Sequence, residues 1–488
     1  MIALDIKGEH VAGLVSGPLY VDLDGTLIAT DLLHESTLQV TKTNPSSLLR
    51  LPGWLASGKA GLKREIARRT ELAVGNLPYR NEVLAVVNEA RAAGRRVVLA
   101  TASDDKFARQ VAAHLGVFDG VIASDGHTNR DGVRKLAAIV QDAGGDGAPF
   151  SYVGDSAVDL PIWRCATSAV VVSASPALLA RVAAVTRVER VVVPEKASLR
   201  QVLFGLRLHQ WLKNLLIALP VVPVLGSVTQ QMMGTLALAF LAFGLMASAI
   251  YVINDLLDLE ADRRHPRKRY RPFASGHLSV PMGLCTSAML CAASLAISAA
   301  VLPLRFTACL LFYVALTSAY SVHLKRRAVV DVVVLAALYT VRIVAGASAL
   351  ALSLTPWILG FSTFLFLSLA LAKRYVEIAM ATDQEGNALG ARGYLVSDLQ
   401  FVMAAGLGAG QIAVLVLCLY LNDSSVMARY RHPQYMWLVP PMLLFWVLRV
   451  WLKASRKVLH DDPVVFAARD WVSRLIVLSS GLLVWLSI

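Results

Sequence analysis

Cysteine is scarce in this chain. Five are spread over 488 residues, at Cys165, Cys285, Cys291, Cys309 and Cys418, with no CxxC pair and no histidine at metal-ligand spacing. That pattern excludes a disulfide framework or a thiolate metal centre as the organiser of the fold, and the five are expected to be small buried apolar side chains. An apolar leader is also missing. The opening MIALDIKGEHVAG carries charges throughout, so no secretory signal is expected and the first part of the chain is expected to stay in the cytosol. Charge is thin, at 17% of residues against 56% hydrophobic, and a mean hydropathy of +0.57 excludes an ordinary soluble protein.

The apolar residues are unevenly placed. Residues 1 to about 200 alternate short apolar runs with polar segments as a soluble α/β domain does, whereas from Leu212 onward long apolar stretches alternate with short charged loops, as bilayer thickness demands. Nine spans are expected, near 212–228, 233–253, 283–304, 306–322, 329–350, 357–372, 401–421, 435–452 and 471–488. The loops after spans two, four, six and eight hold RRHPRKRYR, HLKRR, AKRYVE with Arg392, and KASRKVLHDD; the opposite loops carry few bases, Arg305, Arg429 and Arg431 apart. Positive residues kept inside place every charged loop in the cytosol and the C-terminus outside. The net charge of +13 therefore reports membrane orientation and contact with anionic lipid or phosphate, and nucleic acid is not an expected partner.

At the end of span two stands NDLLDLEADRRHPRKRYRP, from Asn254 to Pro272. Asp255, Asp258 and Asp262 are spaced i, i+3, i+7, so a continuous helix would carry all three on one face. Three adjacent carboxylates repel one another unless a cation sits among them. Mg²⁺ accepts such acids while keeping positions open for phosphate oxygens, and Arg263, Arg264, Arg267, Lys268 and Arg271 are placed to take the remaining phosphate charge. This is a magnesium–diphosphate site in outline.

The stretch resembles the first aspartate-rich motif, NDxxDxxxD, of the UbiA superfamily of intramembrane prenyltransferases, over roughly residues 200–488. Within it the chain is most similar to the decaprenyl-phosphate phosphoribosyltransferase group, on HQWLKN (with Lys213), ADRRHPRKRYRP, YSVHLKR (with Lys325), KRYVE (Lys373, Arg374, Glu377) and HDDPVVFAARD. The resemblance implies an all-α membrane domain around a central cavity. One departure bears on the substrate: prenyl-diphosphate users carry a second aspartate-rich motif between spans six and seven, where this chain has Lys373, Arg374 and Tyr375. Bases in place of acids suit a donor with extra phosphate. The donor implied is phosphoribosyl pyrophosphate (PRPP), and the acceptor is a polyprenyl phosphate lying in the membrane lipid. Asn254, Lys325, Lys373, Arg374, Glu377 and Arg392 join the expected substrate-binding set.

The soluble part has its own motif series. LYVDLDGT is an apolar run delivering Asp22 and Asp24, RVVLATASD ends a second run with Thr101 and Ser103, Lys135 follows in DGVRKLAAI, and FSYVGDSAVD brings Asp155 and Asp159. Carboxylates on loops at the carboxyl edge of a buried sheet, with a hydroxyl and an amine in order behind them, suit phosphoryl transfer. The series resembles the haloacid dehalogenase (HAD) superfamily over about residues 15–195, which implies a Rossmann-like α/β fold. By that resemblance Asp22 is the nucleophile, Asp24 the general acid/base, Thr101 the phosphate-binding hydroxyl (Ser103 the alternative) and Lys135 the neutralising amine, with Asp22, Asp24, Asp155 and Asp159 around Mg²⁺.

Residues 32–95 interrupt the sheet pattern and are expected to form a small helical cap, with a basic face that suits substrate, solvent or lipid equally. The expected organisation is a phosphatase domain at 1–195, a packed connector at 196–211 and a transferase domain at 212–488. The two halves read as consecutive steps, in which PRPP and polyprenyl phosphate give a 5-phosphoribosyl lipid and the first domain then removes the 5-phosphate. Two rivals stand beside this reading: a prenyl-diphosphate transferase acting on an aromatic acceptor, and a first domain that only anchors or regulates the second.

Overall fold

In the N-terminal region, β-branched runs too short for helices form six strands, β1 (Leu19–Val21), β2 (Val97–Asp104), β3 (Gly120–Ser124), β4 (Ser151–Gly154), β5 (Ser168–Val172) and β6 (Arg187–Val192). They pair in parallel in the order β3-β2-β1-β4-β5-β6. The computed structural model describes residues 17–195, 197–381, 393–428, 430–459 and 463–487. The central strands are buried on both faces and supply apolar side chains to each, with polar residues such as Thr101 and Ser103 at the carboxyl end of β2, whereas the edge strand β6 (RVERVV) is mostly exposed. Leu19, Val21, Val97, Leu99 and Val153 face one core, and Tyr20, Val98, Ala100 and Tyr152 face the other. Each fully buried Val or Leu contributes about 1.5–3 kcal/mol. The first crossover leaves β1 toward β2 and a later one returns to its other side at β4, which leaves a crevice at their carboxyl ends.

Helices α1 (Leu32–Thr43), α2 (Leu51–Ala56), α3 (Gly58–Arg68) and α4 (Asn81–Ala92) lie between β1 and β2. Val40, Trp54 and Ile66 give the first three a small core of their own. The expected cap ran to residue 95, but Val83, Val86, Val87 and Ala90 of α4 share a core with Leu19, Val21 and Val97, so α4 belongs to the sheet's flank and the cap ends near residue 70. Helices α5 (Asp105–Leu115), α6 (Gly132–Ala143), α7 (Leu160–Cys165) and α8 (Pro176–Ala183) complete the wrapping, and α9 (Leu199–Gly205) makes the expected connector partly helical.

The chain divides into two compact units, Met1–Gly205 with Asp255–Leu284, and Leu206–Asn254 with Cys285–Ile488. The basic loop after the second span is thus part of the first unit, a division that the expected boundaries at 195 and 212 do not contain.

The long helices are α10 (Gln230–Leu257), α12 (Val280–Val301), α13 (Leu304–Val322), α14 (Val330–Ala349), α15 (Pro356–Ala381), α16 (Leu399–Asn422) and α18 (Val439–Ser455), with short α11 (Leu259–Arg264), α17 (Ser424–Met427) and α19 (Pro463–Arg469) between them and α20 (Trp471–Ser487) at the end. Among the described residues eight helices are long and apolar enough to cross a membrane, and the chain is an integral membrane protein. The ninth expected span is helical but only 17 residues long. The first, Leu208–Ser227, has 3₁₀ turns and a non-helical break at Val224, because Pro220 and Pro223 remove the donors that an α-helix requires. Buried serines join neighbouring helices: Ser287 donates to the Ala249 carbonyl at 2.9 Å, Ser294 to Ala242 at 2.6 Å and Ser368 to Gly406 at 2.6 Å. Outward faces carry bare apolar side chains such as Leu475, Val477 and Trp485, as lipid contact requires. Cys285 is exposed on α12 and Cys165 on α7, contrary to the expected burial, since neither helix turns that position inward.

Candidate functional site

β1 and β4 end side by side, and the residues that follow them form the first site. Asp22 and Asp159 are buried, Asp155 is half-buried, and one carboxylate oxygen from each lies within 4.8 Å of the others. Among the described residues these are the only acids grouped closely enough to hold a metal ion. The Lys135 Nζ lies 3.0 Å from Asp22 Oδ2 and 3.3 Å from Asp159 Oδ1. Gly25 permits the turn: its φ is +76°, and a Cβ there would fall 2.3 Å from Asp155 Oδ2.

Crowding three acids in a buried place raises their cost. Burial, with the charges of Asp159 and Asp24 added against the opposing Lys135, lifts Asp22 from 3.8 to about 7. Burial and then the charges of Asp22 and Asp159 lift Asp155 to about 7 as well. Lys135 is held above its ordinary value although burial opposes its charge, because Asp22 and Asp159 outweigh it. A donor set of three carboxylates this close fits a hard divalent cation such as Mg²⁺.

Asp24 turns elsewhere. Its carboxylate accepts from Ser103 Oγ at 2.6 Å and from the Leu32 amide at 2.8 Å, apart from the three-acid group in which it was expected. Burial and the charge of Asp31 raise it to about 6, with the Ser103 hydrogen bond opposing, a value that suits proton delivery. Thr101 is fully buried and its hydroxyl oxygen accepts the Ser103 amide at 3.0 Å, so the structure puts the alternative, Ser103, against Asp24.

Several residues here escaped the sequence reading. Thr26 donates to Asp155 at 3.3 Å, and the Tyr152 hydroxyl accepts from Lys135 and donates to Asp159, both at 2.9 Å. Tyr152 reads as one more core aromatic in a strand, and nothing in its spacing marks it. Lys63, on the basic face of the cap, donates to the Ala102 carbonyl at 2.6 Å and to Asn129 at 3.0 Å, with burial lowering its pKa. The cap's bases are therefore partly turned toward the site.

The aspartate-rich loop has a different geometry from the expected single helical face. α10 stops at Leu257, and Asp258, at φ −102° and ψ 12°, stands between α10 and α11, so Asp255 and Asp262 sit on separate helices. Arg271 joins them, with Nη1 at 3.1 Å from Asp255 Oδ1 and 2.6 Å from Asp262 Oδ2. Asp258 pairs instead with Lys42 at 2.8 Å. The three acids already have cationic partners, and a divalent ion must share or displace these. Arg263, expected to bind phosphate, is buried in a two-pronged pair with Glu35 at 2.6 and 2.7 Å, and its Nε donates to the Ala274 carbonyl. Arg267 and Lys268 are exposed on the following turn.

In the second unit Asn254 is half-buried at the end of the span, and Lys325 and Lys373 are half-buried near helix ends. Lys213 stands 5.6 Å from the Tyr339 ring centre. Arg374, an expected phosphate clamp, is almost wholly buried, paired with Asp331 at 2.7 Å and with Glu377. Those pairs engage Nη1 and Nη2 of its guanidinium. Arg392 lies outside the described residues. Arg342, which the sequence reading passed over, is buried in α14, donating to Asn214 at 3.0 Å and the Tyr313 hydroxyl at 3.3 Å, with its plane against Phe243 and Tyr313. A cation at membrane depth is costly and marks a site where polar groups converge. An apolar cavity of about 240 Å³ opens among Pro223, Trp357, Phe361, Leu417 and Met436. It touches the first turns of α15, whereas Lys373 and Glu377 sit in its last turns, roughly 24 Å away at 1.5 Å per residue.

Comparison with known proteins agrees with both halves. Residues 215–471 match the UbiA prenyltransferase family and residues 19–164 match haloacid dehalogenase-like hydrolases. A protein of Sinorhizobium fredii designated y4nM is 40% identical over 461 residues, 93% of this chain and 88% of its own length. The nodulation protein NoeC of Azorhizobium caulinodans is 37% identical over 279 residues, 57% of this chain and 89% of its own. Decaprenyl-phosphate phosphoribosyltransferase of Mycobacterium tuberculosis is 34% identical over 204 residues, 41% of this chain and 67% of its own. The chain belongs to the UbiA prenyltransferase family, is related within it to decaprenyl-phosphate phosphoribosyltransferases, and carries a haloacid dehalogenase-like hydrolase domain at its N-terminal end.

Proposed function

We propose that the chain performs two consecutive reactions on one membrane lipid. Its helical half transfers 5-phosphoribosyl from PRPP to a polyprenyl phosphate, and its N-terminal domain removes the 5-phosphate. The supporting observation is the presence, in one chain, of a phosphoribosyltransferase relative and a three-acid site with Lys135 at hydrogen-bonding distance from Asp22.

In the first reaction an oxygen of the acceptor phosphate bonds to the ribose anomeric carbon as the bond to the diphosphate breaks, and pyrophosphate leaves. The acceptor is already anionic, so no strong base is needed. Asp255, Asp258 and Asp262, with Asn254 beside them, would hold the Mg²⁺ that neutralises the diphosphate end, and Arg267, Lys268, Lys213, Lys325, Lys373 and Arg392 supply cations for the remaining phosphate charge. In the second reaction an Asp22 oxygen attacks phosphorus, the bond to the ribose 5-oxygen breaks, and Asp24 gives that oxygen its proton. Water then cleaves the aspartyl phosphate, Asp24 acting as base. Mg²⁺, when bound, supplies charge neutralisation at Asp22, Asp155 and Asp159 and at the aspartate-rich loop. Both sites face the cytosol, and the ribosyl lipid serves cell-envelope glycan assembly.

Asp22→Asn replaces the nucleophile by an amide of nearly the same shape. Given PRPP and polyprenyl phosphate, that variant should still release pyrophosphate while its lipid product, read by mass spectrometry, retains the 5-phosphate; the wild type should accumulate ribosyl lipid and inorganic phosphate. Dephosphorylated lipid from the variant at the wild-type rate would overturn the second step. Consumption of labelled prenyl diphosphate in place of PRPP would overturn the first.

A further inference from the structure

The aspartate-rich loop, Asp255–Leu284, folds in one compact unit with the N-terminal domain, and their contact is specific. One face of α1 is laid along residues 258–263. Glu35, Gln39 and Lys42, spaced i, i+4, i+7 on α1, meet Arg263, Glu260 and Asp258 in reverse order. The Glu35–Arg263 pair leaves each side chain only 6% exposed and is bidentate, the geometry that fixes orientation as well as distance. The Lys42–Asp258 pair is different: its side chains are 31% and 34% exposed, and a single ammonium sits 2.8 Å from Asp258 Oδ1. One pair is a rigid anchor and the other is open to exchange.

The same helix reaches the phosphatase site. Leu32, its first residue, donates its amide to Asp24 at 2.8 Å. α1 is 12 residues, roughly 18 Å, long; its first residue holds Asp24, and the loop lies along it from Glu35, one turn on, to Lys42 near its other end.

We propose that α1 is a positioning element for the transferase loop, in which Glu35 fixes the loop through Arg263 and Lys42 is a built-in counter-ion of Asp258 that competes with the divalent cation for the same carboxylate oxygen. This rests on the reading of Asp258 as a metal-binding acid. Lys42 neutralises Asp258 while Arg271 neutralises Asp255 and Asp262, and a metal that takes Asp258 Oδ1 must displace Lys42 from it. By linkage, whatever displaces Lys42 acts on a helix that also carries a hydrogen bond to Asp24.

The test uses the full-length protein in detergent with Mn²⁺ as the probe, counted by loss of the free-ion electron paramagnetic resonance signal. Asp155→Asn is introduced throughout to remove the other acid site. In that background Lys42→Met should bind Mn²⁺ at the loop at least about fivefold more tightly, since the competitor is gone, and Lys42→Arg should stay near the parent. Unchanged or weaker binding in Lys42→Met overturns the competition. Adding Asp258→Asn should abolish the loop site; if it does not, the reading of Asp258 as a metal-binding acid falls, whereas loss with Asp258→Asn and no change with Lys42→Met defeats the competition alone. The anchor is tested by charge exchange. Glu35→Arg and Arg263→Glu should each cut pyrophosphate release about tenfold or more, and the double variant should recover to within about threefold of the parent. Failure of the double variant to recover, with the protein still folded by circular dichroism, overturns the anchoring role.

Discussion

Asp22 and Asp155 have the same raised pKa, about 7, and so the same pH behaviour. Each titrates near 3.8 when unfolded, so between pH 4 and 7 the folded domain binds more protons than the unfolded chain. Their contribution to stability is therefore full below about pH 4 and is lost as pH rises through 7. A divalent cation at this site requires the carboxylates ionised. Mg²⁺ binding should accordingly release well over one proton at pH 6 and almost none at pH 8.5, with affinity rising over that range. Calorimetry in two buffers of different ionisation enthalpy, on a chain carrying Asp258→Asn to silence the loop, measures the release; equal affinity at both pH values would sink the assignment. Asp22 and Asp155 were legible in the sequence because each follows a short apolar run, and Lys135 because it stands between them in the motif order. Tyr152 and Thr26 were not, because a hydrogen bond to a carboxylate leaves no trace in spacing. Arg263 and Arg374 were read as phosphate ligands for the same reason: a cation near acids looks alike whether it faces a substrate or a buried carboxylate, and only Glu35 and Asp331, far away in sequence, decide between the two.

Helices were readable as apolar runs, but where they break was not. The i, i+3, i+7 spacing of the three aspartates implied one continuous face, yet α10 ends at Leu257 and its continuation is turned at Asp258, where Lys42 and Arg271 take hold of the acids and Glu35 takes Arg263. α4 was assigned to the cap because an amphipathic pattern does not say which core the apolar face meets. Close approach between elements is similarly silent. Gly346 of α14 is such a place: a Cβ there would lie 1.9 Å from the Ile217 carbonyl oxygen of the Leu208–Ser227 segment, with backbone on both sides and no flexible side chain to yield. Gly408 of α16 has nothing within 4 Å of the corresponding point. Gly346→Ala should therefore destabilise the membrane unit by about 1–3 kcal/mol through forced separation of the two elements. Gly408→Ala should be neutral or slightly stabilising, since alanine is the better helix former. Thermal unfolding in detergent with a fluorescent reporter compares the two, and equal midpoints would show that the close approach does not persist.

At the scale of the whole molecule, the charge pattern predicts an orientation. Bases concentrate after the even-numbered spans, and the loop after the second holds Arg263, Arg264, Arg267, Lys268, Arg269 and Arg271. The structure adds a constraint that charge counting does not contain: this loop folds into one compact unit with the N-terminal domain, so the two lie on the same side of the membrane whichever side that is. The positive-inside tendency predicts that this side is the cytosol. In a chain whose five cysteines are replaced by serine, single cysteines introduced by Arg164→Cys in the N-terminal domain and Arg267→Cys in the loop should react with a membrane-impermeant maleimide only after the cells are opened. Arg305→Cys, in the first turn of α13, should react in intact cells. The three positions are all exposed, so reactivity reports side and not burial. Labelling of Arg267→Cys from outside would reverse the orientation. Labelling of Arg164→Cys and Arg267→Cys from opposite sides is a stricter outcome, because it would break the unit that α1 and the aspartate-rich loop form.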